Sequence, residues 1–364
     1  MSVRRLLRRL RMPLLVLAAA LAVASLPVLY TETACQSARG VQSEAFRSAL
    51  EPADRRAEVN SYLTYPEWSI VHAYEDFAGV TRQGSEADFA YFSAIRHYWS
   101  SLCGITRLAS SRDAIALDYK VMLYTIGLSF AAEMGMKGAY ESTIGRFTGW
   151  VRGPRRTPED EFALVMADDY AAFLRQTPWF EYPFATKLVR FWTQTPVTLR
   201  NPIRSLERRV SLSGEMAVKA VYAKLIGLGA AATPVPLTNR SVIKGLEAAD
   251  IAAVEGIKLI AKLDDGASMI ETPRYRAFTG ILQKLALRGR DAVEIAGNDD
   301  VLITVLAPEA ASAQAIGGRE LFSVPIQSKP GWRRIGLDAR IPELMGMIRR
   351  MRGTDVELEH VYDY

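Results

Sequence analysis

Three hydrophobic patterns follow one another along the chain: an unbroken run, a helical repeat and a strand-like alternation. The run extends from Met12 to Thr31 without a charged residue, and Glu32 is the first acid. Twenty residues at about 1.5 Å each reach ~30 Å, the hydrocarbon thickness of a bilayer, so residues 12–31 are read as one transmembrane helix. Arg4, Arg5, Arg8, Arg9 and Arg11 precede it in a basic segment, residues 1–11, that orients the N-terminus toward the cytoplasm. A cleaved signal peptide wants small residues three and one before the cut, and Glu32 before Ala34 fits poorly, which favours an uncleaved anchor. Residues 32–60 are polar without sustained periodicity and predict a tether.

From Tyr62 the spacing turns helical. Pro66 can open a helix carrying Ile70, Val71, Tyr74 and Phe77. Ser85 with Asp88 resembles a capping box before Phe89, Phe92, Ile95, Trp99 and Leu102, and Ser110 with Asp113 predicts the next helix start. Thr157, Pro158 and Asp160 open a further helix with Phe162, Val165, Tyr170 and Phe173 inward, and Asn201-Pro202 opens another. The apolar stretch Val121 to Ala132 is too short to span a membrane and is bracketed by Asp118, Lys120 and Glu133, so a core helix is expected. Pairing it with the apolar residues Ala217 to Ala232 as a membrane hairpin is the alternative, made costly by Lys219 and Lys224.

Residues 61–232 are therefore read as a helical domain and the proline-spaced residues 233–237 as a linker. In residues 238–364 the period falls to two. Strands are expected around Ile257–Leu263 and Ser268–Glu271, joined by the Asp265-Gly266 turn, then a helix carrying Phe278, Ile281, Leu282 and Leu285. Val293–Ile295 and Val301–Leu306 read as a second hairpin about Gly297-Asn298, followed by strands at Leu321–Ile326 and Arg334–Leu337, a helix from Pro342 and a last strand at Val356–Tyr362. The expected class is α+β: a single transmembrane helix, a mainly helical middle and a small C-terminal α+β domain, ferredoxin-like in its order of elements. No internal repeat is visible in the sequence.

Composition sharpens this outline. With 49% hydrophobic and 23% charged residues, the 364-residue chain has the make-up of a globular protein, not of a disordered one or a polytopic transporter. The net charge of +5 suggests nucleic acid, but five arginines lie in the first eleven residues, where topology explains them. Cys35 and Cys103 are too few for a disulfide-dense scaffold or a self-contained iron-sulfur site. Beyond the membrane the two could pair; equally, Cys103 could pack beside Leu102 and leave Cys35 free.

Several chemistries fail on spacing. The residues three before His72 and His97 are Ser69 and Ala94, so the Glu-x-x-His pair of a di-iron bundle is missing. His-Glu-x-x-His, Cys-x-x-Cys and a Walker loop are absent from the sequence. Gly227 to Ala232 follows a helix where a dinucleotide fingerprint needs a strand, and Ser241-Val-Ile-Lys244 lacks the companion motifs of a lactamase. No cofactor and no metal site is expected.

Three polar groupings remain. His72, Glu75 and Asp76 share one helix face at spacings of three and four, suiting a weak metal site, a carboxylate-oriented general base or, more plainly, a solvated face. His97 lies among Ser93, Ser100 and Ser101, a polar edge. Glu133 adjoins the most apolar helix, where it becomes a proton donor by burial or joins Lys137 and Glu141 in an ion-pair ladder. The aromatic and basic stretch with Trp179, Phe180, Lys187, Arg190 and Trp192, continued by Arg204 and Arg208, suits an anionic bilayer surface, or else a core with solubilising arginines.

The segments Tyr62-Leu-Thr-Tyr-Pro-Glu-Trp-Ser-Ile-Val-His72, Gly138 to Arg146, Glu294 to Val301 and His360-Val-Tyr-Asp-Tyr364 resemble a group of bacterial membrane-anchored proteins. The resemblance implies a bacterial source and an envelope location, and it carries over no activity, ligand or catalytic residue. The expected function is that of a non-catalytic inner-membrane protein whose periplasmic bulk contacts the lipid bilayer or an envelope protein, and not nucleic acid. The alternative is an acid/base or metal-assisted enzyme using Glu67, His72, Glu75, His97 and Glu133.

Overall fold

A computed structural model describes residues 15, 22–37, 46–56, 58–112, 115–198, 200–229, 237–263 and 265–363. The basic segment, much of the run after Met12 and all of the 233–237 linker except Leu237 lie outside these residues. Among the described residues no helix is long and apolar enough to cross a membrane. The chain is α+β, a set of helices followed by two small antiparallel sheets.

Helix α1 covers residues 22–34. Then follow α2 (Glu58–Leu63), α3 (Tyr65–Gln83), α4 (Tyr91–Arg112), α5 (Leu117–Tyr140), α6 (Arg146–Arg152), α7 (Pro158–Leu174), α8 (Phe184–Gln194) and α9 (Pro202–Gly229). Between α5 and α6 the helix continues through a π-helical turn, Glu141–Gly145. Thr157 and Asp160 cap α7 reciprocally, as their spacing predicts. Ser85 and Asp88 also form a capping box, but on a 3-10 turn, Glu86–Asp88, so that α4 starts two residues beyond Phe89 and leaves Phe92 exposed. Ser110 starts no helix; it lies in the last turn of α4 and accepts the Ser37 N–H, while Asp113 lies outside the described residues. Val165, expected inward, is exposed.

The second half contains β1 (Thr238–Lys244), α10 (Ala248–Ala253), β2 (Lys258–Lys262), β3 (Ala267–Pro273), α11 (Arg276–Leu287) and β4 (Asp291–Ile295). It continues with β5 (Asp300–Pro308), α12 (Ala313–Ile316), β6 (Arg319–Pro325), β7 (Trp332–Arg340), α13 (Ile341–Met351) and β8 (Glu357–Val361). The sheet orders are β2-β3-β1-β4 and β6-β7-β5-β8, with every pair antiparallel. Each sheet thus has the same strand-helix-strand-strand-helix-strand course of a split βαβ unit, and the unit occurs twice. The expected hairpin of β4 with β5 does not form: β4 pairs with β1, β5 with β7 and β8, and a lone bridge joins Ile295 to Asn298.

Packing joins these parts into shared cores. α11 and α13 lie together between the sheets, and one apolar cluster includes Ile243 and Ile270 of the first sheet, Phe278 and Leu344 of the helices, and Ile303 and Leu337 of the second. The opposite face of the second sheet gives Leu302, Phe322, Val324 and Tyr362 to the core of α2–α5, so the helical and α+β parts share an apolar core. A Cβ on Gly104 of α4 would come within 2.3 Å of the Leu321 carbonyl on β6, and this bare position lets helix and strand backbones touch.

The tether expectation is corrected. Cys35 is buried and joined by a disulfide to Cys103 of α4. Glu32 pairs with Lys120 at 2.9 Å. Farther on, Leu50 packs with Val242, Ala267 and Met269, and the Arg56 N–H donates to the Ala296 carbonyl, so residues 46–56 cover the outer face of the first sheet. Polarity made the segment look free, while its buried partners lie far away in sequence.

Candidate functional site

The two outermost segments of the family resemblance meet. Ser61 Oγ donates to the Tyr362 carbonyl at 2.8 Å, the Trp68 ring lies 4.9 Å from that of His360, and Tyr65 meets Tyr362 edge-on at 5.9 Å. Beside this contact, α3, α4 and the end of β6 enclose a cavity of about 30 Å³ lined by His72, Asp76, His97, Gln327 and Arg334. This volume accommodates on the order of one water molecule.

Helical spacing brings Glu75 under His72, whose Nδ1 lies 3.1 Å from its carboxylate, and Arg175 pairs with the same carboxylate. Burial alone would raise Glu75; the bonds from His72 and Arg175 override it and hold the carboxyl below its ordinary value. His72 Nε2 makes no hydrogen bond and stands 3.9 Å from Glu359. Glu359 is clasped by Arg334 at 2.6 and 2.8 Å, which overcomes the cost of burial and sets its pKa at about 2. Asp76 accepts the Gln327 and Ser328 backbone N–H groups and so ties α3 to the β6–β7 loop. A carboxylate-oriented imidazole with one unbonded nitrogen is the arrangement of a general base, but its charged neighbours are already engaged.

Of the sequence candidates, His72, Glu75 and His97 come together. Glu67 is exposed at the start of α3. Glu133 lies elsewhere, bonded to Tyr74 and to Lys219 at 2.6 Å. His360, which sequence reading passed over, completes the cluster; its neighbour Glu359 and the terminal motif were the available signals. Among the described residues no three His, Cys, Asp or Glu side chains are grouped to hold a metal ion.

Burial drives the His360 imidazolium down to about pKa 4, and the His72 charge adds to this. In the unfolded chain it would titrate near ~6.5. The unfolded state therefore binds the proton first, and stability present above ~pH 6.5 is lost as the pH falls toward the folded value. Denaturant unfolding at pH 7 and 4.5 should show wild type losing roughly 2–3 kcal/mol more than His360→Phe, which keeps the ring and removes the titration. Glu141, raised to about 7 by burial and by Glu86, works in the opposite direction but is common to both proteins. Equal losses would mean that His360 does not titrate differently on unfolding.

The second constellation is a layer of charge inside the helices. Arg208 is 1% exposed and grips Glu141 through two 3.0 Å bonds, with Glu86 and Asp160 each at 3.4 Å. Arg204, 2% exposed, binds Asp160, Glu207, Thr148 and the Gly145 carbonyl. Lys137 reaches Glu215 at 3.3 Å, and Lys219 bridges Glu215 and Glu133. A Cβ on Gly145 would lie 2.1 Å from the Glu141 carboxylate, so the π-helical turn and its glycine make room for that acid.

Arg204 and Arg208 are thus no membrane-facing stripe. Carboxylates on the π-helical turn, on α7 and on the Glu86 turn draw them inward, because a buried charge is tolerated only when paired. The rest of that expectation scatters. Trp179 and Phe180 are half-buried, with Trp179 against Tyr222 at 5.1 Å, and Lys187 pairs with Asp169 at 2.8 Å. Arg190 and Trp192 are exposed, and the Trp192 indole N–H donates to Ser213 Oγ. No protein-family profile, curated protein or solved structure matches the chain.

Proposed function

We propose that the chain is a non-catalytic protein of the bacterial inner membrane. Residues 12–31 anchor it, the N-terminus is cytoplasmic, and the bulk lies in the periplasm in contact with the bilayer or a protein partner. The observation that carries this reading is the disulfide between Cys35, just beyond the apolar run, and Cys103. Such bonds persist in oxidising compartments, and the arginines before the run favour the same orientation. The water-sized space beside His72 also suits a structural junction better than a pocket for an organic substrate. An enzyme using the unbonded His72 Nε2 is the second reading.

Alkaline phosphatase fused after Tyr364 should be active, because it folds only where disulfides form, and a fluorescent-protein fusion exported by the same route should be dark. An inactive phosphatase with a bright fluorescent fusion would reverse the orientation. For the second reading, hydrolysis by the purified chain that disappears in His72→Gln would overturn the non-catalytic assignment.

A further inference from the structure

α5 and α9 pack side by side with their charges turned toward each other and the interior, as the Lys137–Glu215 and Lys219–Glu133 pairs require. Their outward faces carry what a water-soluble bundle normally hides. On α9 the exposed side chains form two groups, Ile203, Leu206 and Val210, then Val218, Val221 and Leu225, spaced by three and four within each group and separated by two turns around exposed Gly214, on a helix about 42 Å long. Lys224 is the only charged residue among its exposed described positions. The neighbouring helices extend this surface: Val121 and Met136 on α5, Phe147 and Trp150 on α6, and Val189 and Trp192 on α8 are all exposed, Trp150 by 79%. Contiguous apolar surface on this scale marks an interaction site.

We infer that this α5–α6–α9–α8 face lies in the headgroup and upper acyl region of an anionic bilayer, with α9 parallel to the membrane plane. Three observations select lipid. First, the exposed charges here are mostly cationic, Arg146, Arg190 and Lys224 on the helices and Arg155 and Arg200 in the adjoining loops against Asp118 of α5 and Glu181 of the turn beside α9, an excess that complements anionic headgroups. A second copy packed isologously on the same face would bring these cations together. Second, the exposed indoles of Trp150 and Trp192 suit the interface, where one part of the ring is wet and the rest apolar. Third, α1 arrives at this layer from the apolar run: Glu32 at its end bonds Lys120 and Tyr124 of α5, and Val23, Leu26 and Leu29 are exposed. Elsewhere on the helical layer the exposed surface is charged or polar, with Arg96, Ser100 and Arg107 on α4 and Glu161 on α7, and its apolar residues Phe92 and Val165 stand singly, so the layer rests on the membrane on one side and does not span it.

The choice of leaflet rests on the envelope reading; the contact itself does not. The full chain, with its native disulfide intact, would be reconstituted in bilayers of phosphatidylethanolamine and phosphatidylglycerol. Nitroxides would be placed singly through Leu206→Cys, Val221→Cys and, as the polar control, Ser100→Cys. These positions are exposed, where substitution is well tolerated, and circular dichroism checks folding. Labels at 206 and 221 should collide with oxygen in preference to a water-soluble nickel chelate, and the label at 100 should show the reverse. Equal exposure of all three to nickel would overturn the proposal. Labels at 206 and 221 shielded from both reagents would also overturn it, by showing a protein on that face. An active phosphatase fusion with water-exposed labels sinks the lipid contact alone; an inactive fusion with lipid-exposed labels keeps the contact and sinks the periplasmic reading.

Discussion

Arg208→Met should destabilise the folded chain by roughly 3–5 kcal/mol, the scale for removing one partner of a buried charge cluster. The guanidinium satisfies both Glu141 oxygens and lies close to Glu86, so its loss leaves two carboxylates facing each other out of water. Glu141 already sits near pKa 7, and without the arginine it should rise further. A carboxyl raised in the folded state contributes stability below its unfolded pKa and loses it as the pH climbs through the folded value. The deficit of the variant should therefore grow from pH 5 to pH 8. Adding Glu141→Gln should restore a large part of it, because the remaining groups then carry less uncompensated charge. Denaturant unfolding of the three proteins measures this, and a single variant within about 1 kcal/mol of wild type would show the cluster to be energetically slack.

Replacing Cys35 and Cys103 together by serine should cost about 4 kcal/mol on the chain-entropy account of a cross-link. The two cysteines are 68 residues apart, and the loop between them contains α2, α3 and most of α4, together with the segment that covers the first sheet. Reduction of wild type should produce the same loss, while the double variant should ignore the reductant. If both proteins unfold at the same denaturant concentration under oxidising conditions, the bond constrains nothing that the packing around Cys35 does not already hold.

What could be read from the sequence was local. Thr157 with Asp160 announces its helix start because both partners of the cap lie within one turn, and the same is true of His72 with Glu75. β1 was missed because Asn239 and Ser241 are buried polar residues, leaving Val242 and Ile243 as its only strong signal. The β4–β5 turn does exist, with Ala296 and Gly297 at positive φ, yet local turn chemistry does not say with which strands its arms pair. The start of α9 at Asn201-Pro202 was equally legible, but a helix start does not say which face turns inward. That depended on Glu86, Glu141 and Asp160, scattered over three other elements, and so arginines assigned to a membrane became interior ions. The approach of His360 to His72 belongs to the same class, as a contact made only once the whole chain has folded.

The doubled sheet unit bears on the order in which the protein can be completed during synthesis. α13, made last but for β8, packs on β4 of the first unit, and α11 of the first unit packs on β8 of the second. Each half thus shares its lid with the other, since α11 also packs on β3 and α13 on β7 and β8. When β4 has reached the compartment where the chain folds, the first sheet has its outer cover in residues 46–56 but still waits for part of its inner one, a delay on the order of 5 s if the chain arrives at the ~10 residues per second of synthesis. A stall or truncation between Ile295 and Ile341 would leave that apolar face open, and the fragment should fall to chaperones or proteases even though all four strands of its own sheet are present.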